Sequence, residues 1–212
     1  MTSRSDRARE ALLDAAEALF AVHGIDAVSD RAIAEKAGTA NHSAVGYHFG
    51  GRDGLLHTLL ENRTAGKHTA AVTMIDALAG PPTVRDILTA HVVPWVEDFA
   101  ALSSPVRRAR FLLRIASTPG ISDLVGNAPS PLRLENLLDE LGTTVDGVPP
   151  TVLHNRARLL DGMMLHAFSS FEERLELGIS DGDWGSVGRF LIDAGVGLLG
   201  APVTDPGDYF TV

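Results

Sequence analysis

Arg31, Asn41, His42, Ser43, Tyr47, His48 and Arg52 fall within one short stretch, SDRAIAEKAGTANHSAVGYHFGGRD, from Ser29 to Asp53. Their side chains are hydrogen-bond donors and acceptors together with two permanent cations, the set that contacts the base edges and phosphates of duplex DNA. Nothing in the chain pairs so readily for catalysis. No histidine stands in HExxH or a comparable metal spacing, and no Gly-x-Ser-x-Gly elbow marks a nucleophile. The absence of cysteine removes disulfides and thiolate ligands. Neither enzymatic activity, a bound metal nor a cofactor is expected. Gly195 to Gly200 spells GxGxxG, but a dinucleotide loop needs a strand before it, and this one lies in a helical pattern.

The elements that must position these residues are two short helices about a tight turn. Ser29 is a good cap for the first, with Asp30 placed where the positive end of the helix dipole favours a carboxylate. Ile33, Ala34 and Ala37 give that helix small and apolar contacts, and Gly38 supplies the positive φ that ends it. Asn41 caps the next helix, whose first turn presents His42 and Ser43 while Val45 and Phe49 face inward. Gly50 and Gly51 break the pattern before Arg52 and Asp53 open another helix. Such a pair lays one helix into the major groove of DNA.

Ile33-Ala34, Ala37-Gly38, Tyr47-His48-Phe49 and Arg52 followed by Leu55-Leu56 resemble the TetR family of bacterial transcriptional regulators, over roughly residues 8 to 60. The chain departs from that pattern in a turn region one residue longer between Gly38 and Phe49, and in Gly46, where a tyrosine is frequent. The resemblance implies a homodimeric repressor that binds a palindromic operator and is released by a small molecule. Together with the capping pattern it places His42, Ser43 and Ala44 against base edges and Tyr47, His48 and Arg52 against phosphates, with Arg31 and Asn41 beside them. The alternative is an α-helical small-molecule-binding protein or enzyme without DNA function.

The formal net charge of -9 argues against a global attraction to nucleic acid, and acids slightly outnumber bases even within residues 1–53. DNA affinity must then come from a local basic edge, to which Arg4, Arg7 and Arg9 could add as an N-terminal arm or first turn. Hydrophobic residues make up 45% of the chain, with no run long enough to cross a bilayer, so a soluble globular protein without membrane contact is expected. Asp14 and Glu17 interrupt the apolar stretch from Ala11 to Val22, which spoils it as a secretory signal and points to the cytoplasm.

The fold expected is all-α, with a three-helix head at 1–53 and a helical bundle for ligand binding and dimerisation at 54–212. Helices are predicted at 6–23, at 52–78 as one long linker, from Thr83 through Pro94, and at 105–116, 131–141, 150–177 and 184–199. Pro94 should kink its helix. Residues 117–150, rich in Gly, Pro, Ser and Asn, read as the most mobile region. Trp95, Phe99, Met163, Met164 and Phe168 are core residues that could also wall an apolar pocket, with His91 or His166 as its polar anchor and few acids nearby. An apolar or amphipathic effector follows, neutral or weakly anionic. Gly188, Ala194 and Gly195, with Phe190, Leu191 and Leu198, suggest a dimer interface on the last two helices.

Overall fold

The structure, a computed structural model, describes residues 4–102, 107–118, 133–180 and 182–204. Ten helices run through them: α1 (Arg4–His23), α2 (Asp30–Lys36), α3 (Ala44–Phe49), α4 (Arg52–Thr64), α5 (Lys67–Asp76), α6 (Val84–Ala101), α7 (Arg108–Ala116), α8 (Leu134–Glu140), α9 (Pro150–Glu176) and α10 (Trp184–Gly200). The architecture is all-α, as the periodicity requires, and no helix among the described residues is long and apolar enough to cross a membrane. The beginnings of the helices expected at 105 and 131, and residues 119–132 of the stretch expected to be mobile, lie outside the described residues.

The linker is two helices, not one. The α-helical ladder stops at Thr64, Ala65 turns to an extended conformation, and Gly66 takes φ +77° before α5 begins. A single glycine in a helical pattern is ordinarily tolerated, which is why the sequence reads as continuous. Here the break lets Lys67 swing its ammonium to 3.3 Å from the Asp98 carboxylate on α6.

Helix α6 is the centre of the body. The Thr83 hydroxyl accepts the Asp86 amide at 3.2 Å and the Asp86 carboxylate accepts the Thr83 amide at 2.9 Å, a reciprocal capping box. Those hydrogen bonds from the Thr83 side chain and backbone hold the Asp86 carboxyl below its usual range. Pro94 lies inside the helix, where a missing N–H and the ring clash cost about 3 kcal/mol. Val92, Trp95, Val96 and Phe99 are all buried around it. Each such side chain contributes about 1.5–3 kcal/mol, enough together to outweigh the proline.

Helix α10 lies directly on α6. A Cβ on Gly188 would stand 3.3 Å from the Val96 methyls, and one on Gly195 would stand 2.9 Å from Leu160 Cδ2 and 3.0 Å from Leu88 Cδ1. These glycines therefore serve packing inside the subunit and not the dimer contact expected of them, while Leu191, buried at 2%, lines the outer groove beside Ala194. Phe190, on the opposite side of the helix, is 68% exposed.

Two cores merge into one. Leu12, Leu13, Ala16 and Phe20 of α1 pack with Ile33 and Val45 on the head side, and the Phe20 ring stacks at 6.4 Å on Phe111 of α7. Helix α4 begins so close beneath α3 that a Cβ on Gly54 would lie 1.9 Å from the Phe49 carbonyl oxygen. A backbone atom cannot yield as a side-chain end can. Gly54→Ala should therefore destabilise the protein by about 3 kcal/mol, the upper range for overpacking, despite the roughly 1 kcal/mol gain in helix propensity. Urea unfolding checks this, and an unchanged midpoint would show that the α3–α4 corner opens freely.

Candidate nucleic-acid interface

The short helices form as their caps dictate. Ser29 Oγ accepts the Ala32 amide at 3.1 Å to start α2, and Gly38 turns the chain at φ +72° after its last residues. The turn then runs longer than capping by Asn41 alone predicts. Thr39 Oγ1 accepts the Asn41 amide at 3.2 Å, and Asn41 Oδ1 accepts the Ser43 amide at 3.0 Å. The Asn41 side chain thus stabilises the turn before the helix, and α3 opens only at Ala44 with Ser43 in the cap position. His42 and Ser43 precede the helix and do not form its first turn.

This shift decides which residues face outward. Arg31, Asn41, His42, Ser43 and Tyr47 are exposed, Tyr47 at 79%, and its ring meets the His48 imidazole edge-on at 4.9 Å. Ala44 is buried at 3% beside Val45, so it cannot reach a base edge as expected. Gly46 is exposed, with open space where a Cβ would stand. The Arg31 guanidinium donates to Glu35 Oε1 at 2.7 Å, a hydrogen bond that, with its charge, lowers the Glu35 pKa. Lys36 was not among the expected contacts. It ends α2 exposed, with no acidic partner among the described residues, and a lone lysine two residues before Gly38 was the available signal.

Two arginines that the sequence offered to phosphates are used internally. Arg52 donates to Asp30 Oδ1 at 3.2 Å and to the Ile25 carbonyl, with its guanidinium 5.0 Å above the Phe20 ring. It ties the start of α4 to α1 and α2, so the guanidinium expected at a phosphate has internal partners in this structure. Arg9 lies within α1 and not in an arm; it donates to the His48 carbonyl at 2.6 Å and to Thr58 Oγ1 at 3.4 Å, over the Phe49 ring at 4.5 Å. It therefore holds the His48 carbonyl near the end of α3. Arg7 is exposed on α1, and the Arg4 side chain lies outside the described residues.

The expected ligand wall divides between two places. Trp95, Phe99 and Phe168 converge in the core with Trp184 and Phe171: Phe99 is 5.2 Å from Phe168 and 4.7 Å from Trp184, ring centre to ring centre. Met164 is buried. His91 is buried too, its Nε2 2.9 Å from Asp161 Oδ1, while Asp161 Oδ2 accepts the Leu134 amide at 3.0 Å. An acid therefore does stand at this anchor, contrary to expectation. The Trp95 indole N–H is buried without an acceptor among the described residues. Met163 and His166 are absent from that group. Both are exposed on the outer side of α9, in a groove of about 910 Å³ between α9 and α10 that Leu159, Phe190 and Ala194 also line.

Residues 12–59 match the family model for bacterial regulatory proteins of the tetR family. Three solved structures share the fold across nearly the whole chain. SmeT, the repressor of the Stenotrophomonas maltophilia multidrug efflux pump SmeDEF, is 20% identical, with 94% of each chain covered and a TM-score of 0.58. NalD, the secondary repressor of the MexAB-OprM multidrug efflux pump in Pseudomonas aeruginosa, is 20% identical, covering 91% of this chain and 95% of its own, with a TM-score of 0.58. The fatty acid degradation regulator FadR from Bacillus halodurans is 15% identical, covering 92% and 99%, with a TM-score of 0.60. A search of curated protein sequences returned no match.

Arg52→Ala should lower stability by about 1–2 kcal/mol, from the lost carbonyl bond and the contact over Phe20, the half-exposed Asp30 pair adding little. It should leave the salt dependence of DNA binding unchanged. Lys36→Ala should do the opposite, reducing the salt slope by about one with stability within about 0.5 kcal/mol of the parent. Thermal unfolding and binding titrations at several salt concentrations separate the two.

Proposed function

We propose, from the premise of a TetR-family head over residues 12–59, that the chain is a homodimeric transcriptional repressor released from a palindromic operator by a small apolar or amphipathic molecule. DNA-binding regulation follows from the family of the head; the dimer, the operator and the effector are the proposal. We assign residues 1–53 to the DNA-binding head and 54–212 to the effector-binding and dimerising body.

The observation that carries the reading is the exposed polar edge at the start of α3. Asn41, His42, Ser43 and Tyr47 project outward, backed by Val45 at 0% exposure. In the major groove His42 and Ser43 would meet base edges and so specify, while Tyr47, His48, Arg31 and Lys36 would meet phosphates and so hold. Gly46 would let the helix backbone approach the duplex closely. With few free cations per head, a pair of heads doubles the phosphate contacts, which supports binding as a dimer.

Dimerisation is supported by the outer groove of α9 and α10. Leu159, Met163 and Phe190 are 57%, 43% and 68% exposed along it, an apolar surface of the kind that stable interfaces cover. The effector would lie by the Trp95–Phe99–Phe168 cluster, where an oxygen acceptor on the ligand would satisfy the Trp95 N–H and His91, backed by Asp161, would anchor its polar end. SmeT and NalD act on multidrug efflux pumps and FadR on fatty acid degradation, settings in keeping with an apolar effector. A ligand that favours a tilt in which the recognition helices fit the operator less well lowers operator affinity by that preference alone.

Selection from a random duplex pool should enrich a palindrome with half-sites about one helical turn apart, or a multiple of it. A pool that yields no site would overturn the reading. Because Phe190 is exposed, Phe190→Glu should leave the fold intact and give a monomer by light scattering, with operator affinity reduced at least tenfold. A stable dimer carrying this change would place the interface elsewhere.

A further inference from the structure

The Glu17 carboxylate is fully buried on α1, yet it lies outside the DNA edge and outside the aromatic core. Its Oε2 accepts Arg63 Nε at 2.7 Å and its Oε1 accepts Arg108 Nε at 2.9 Å. Arg63 closes α4 and also donates to Glu10 at 3.0 Å and Asp14 at 2.6 Å, which share one face of α1 with Glu17. Burial works against the Arg63 charge, but the attraction of Glu17 and the hydrogen bonds of Glu17 and Glu10 outweigh it and raise its pKa. Arg108 opens α7 and reaches Asp98 at 3.1 Å, the same carboxylate that holds Lys67 at the start of α5.

Both flanks of the break at Ala65–Gly66 are thus captured by one network, Arg63 on one side and Lys67 on the other. Helix α7 is fixed from the opposite direction as well. The Glu172 carboxylate of α9 accepts the Ala109 and Arg110 amides at 3.1 and 3.0 Å, and Glu176 accepts Arg107 at 2.6 Å and Arg110 at 3.2 Å. Burial pushes the Glu172 carboxyl up, against the pull of those two amides and the Arg110 charge. A continuous polar path therefore runs from α9 through α7 to α1, and it bypasses the covalent linker.

We infer that Glu17 is a positioning residue for the recognition helices: with Arg108 it forms the strut through which α9 and α7 set the angle at Ala65–Gly66, and hence the separation of the two α3 helices in a dimer. This deepens the proposed function and rests on it. The covalent linker has no continuous helical ladder to set that angle, because the chain leaves the helix at Ala65 and Gly66 takes φ +77°. Release from DNA then requires that the strut shift, so a ligand acting on α6, α7 or α9 reaches the head through Glu17.

The double variant Glu17→Leu/Arg108→Met tests this. It removes both charges of the strut and leaves apolar side chains in their place, with Arg63 still held by Glu10 and Asp14 and Asp98 still held by Lys67. The chain has no cysteine, so a single spin label at Asp26→Cys, exposed in the α1–α2 turn, reports the distance between heads. The expected result is a dimer with cooperative unfolding, a head-to-head distance distribution at least twice as broad as in the labelled parent, and tenfold or weaker binding to the selected duplex with unchanged binding to random duplex. A folded dimer with the parent's distribution overturns the inference. If the double variant does not unfold cooperatively, Arg108→Lys, which keeps the charge but lacks the fork that spans Glu17 and Asp98, is judged by the same breadth. If the parent is monomeric or selects no duplex, the functional reading fails separately, and the strut is judged within one chain between labels at Asp26→Cys and Asp76→Cys. Broadening there upholds it and an unchanged distribution rejects it.

Discussion

A carboxylate shut away from water is tolerable only if cations come to it. Leaving Glu17 buried without them would cost several kcal/mol, and no residue of its own helix can supply a positive charge on that face. The chain must therefore deliver Arg63 from the end of α4 and Arg108 from the start of α7 to one point. That requirement fixes how the first helix lies on the body, and the Phe20–Phe111 stack follows from it. The arrangement need not be more stable than an apolar one of the same volume. What it supplies is direction, since hydrogen bonds from two guanidinium groups permit one relative placement where a greasy contact would permit several.

The same constraint redistributes the charge of an acidic protein. Arg9, Arg52 and Arg63 could each have been a phosphate ligand, and each instead holds one part of the head to another. Under the proposed function, DNA affinity would rest on a small exposed set at the α2–α3 edge, with polar side chains of no formal charge carrying much of it. The body divides its work in a similar way. Its aromatic side chains fill the interior around α6, whereas the long faces of α9 and α10 leave a separate apolar groove outside.

What could be read from the sequence was local. Ser29, Thr83 and Gly38 act within four residues of themselves, and their roles as caps and turn were visible from residue type alone. The all-α class was equally plain from periodicity. What escaped were choices made by distant partners. Nothing near Arg52 announces the Ile25 carbonyl, and nothing near Arg9 announces His48. Glu17 read as an interruption in an apolar run, because a buried acid and an exposed one look alike until their partners, 46 and 91 residues away, are placed. Ala44 was misassigned because the Asn41 side chain caps the turn and delays the helix. Met163 and Met164 are adjacent in the chain, yet one is exposed in the groove and the other is buried in the core, a distinction that depends on helix phase.

Helix α3 spans only Ala44 to Phe49, far shorter than a helix that persists by itself in water. Its order is borrowed from Val45 in the core, from Arg9 on the His48 carbonyl and from the turn at Gly50. Those contacts hold it in the free protein, but with six residues and no side-chain hydrogen bond capping its start it has little order of its own. A duplex that docks against it must then complete its order as well as touch it. Calorimetry of that association would carry a more negative heat-capacity change than the contact area alone accounts for, with a favourable enthalpy offset by the entropy of fixing six residues.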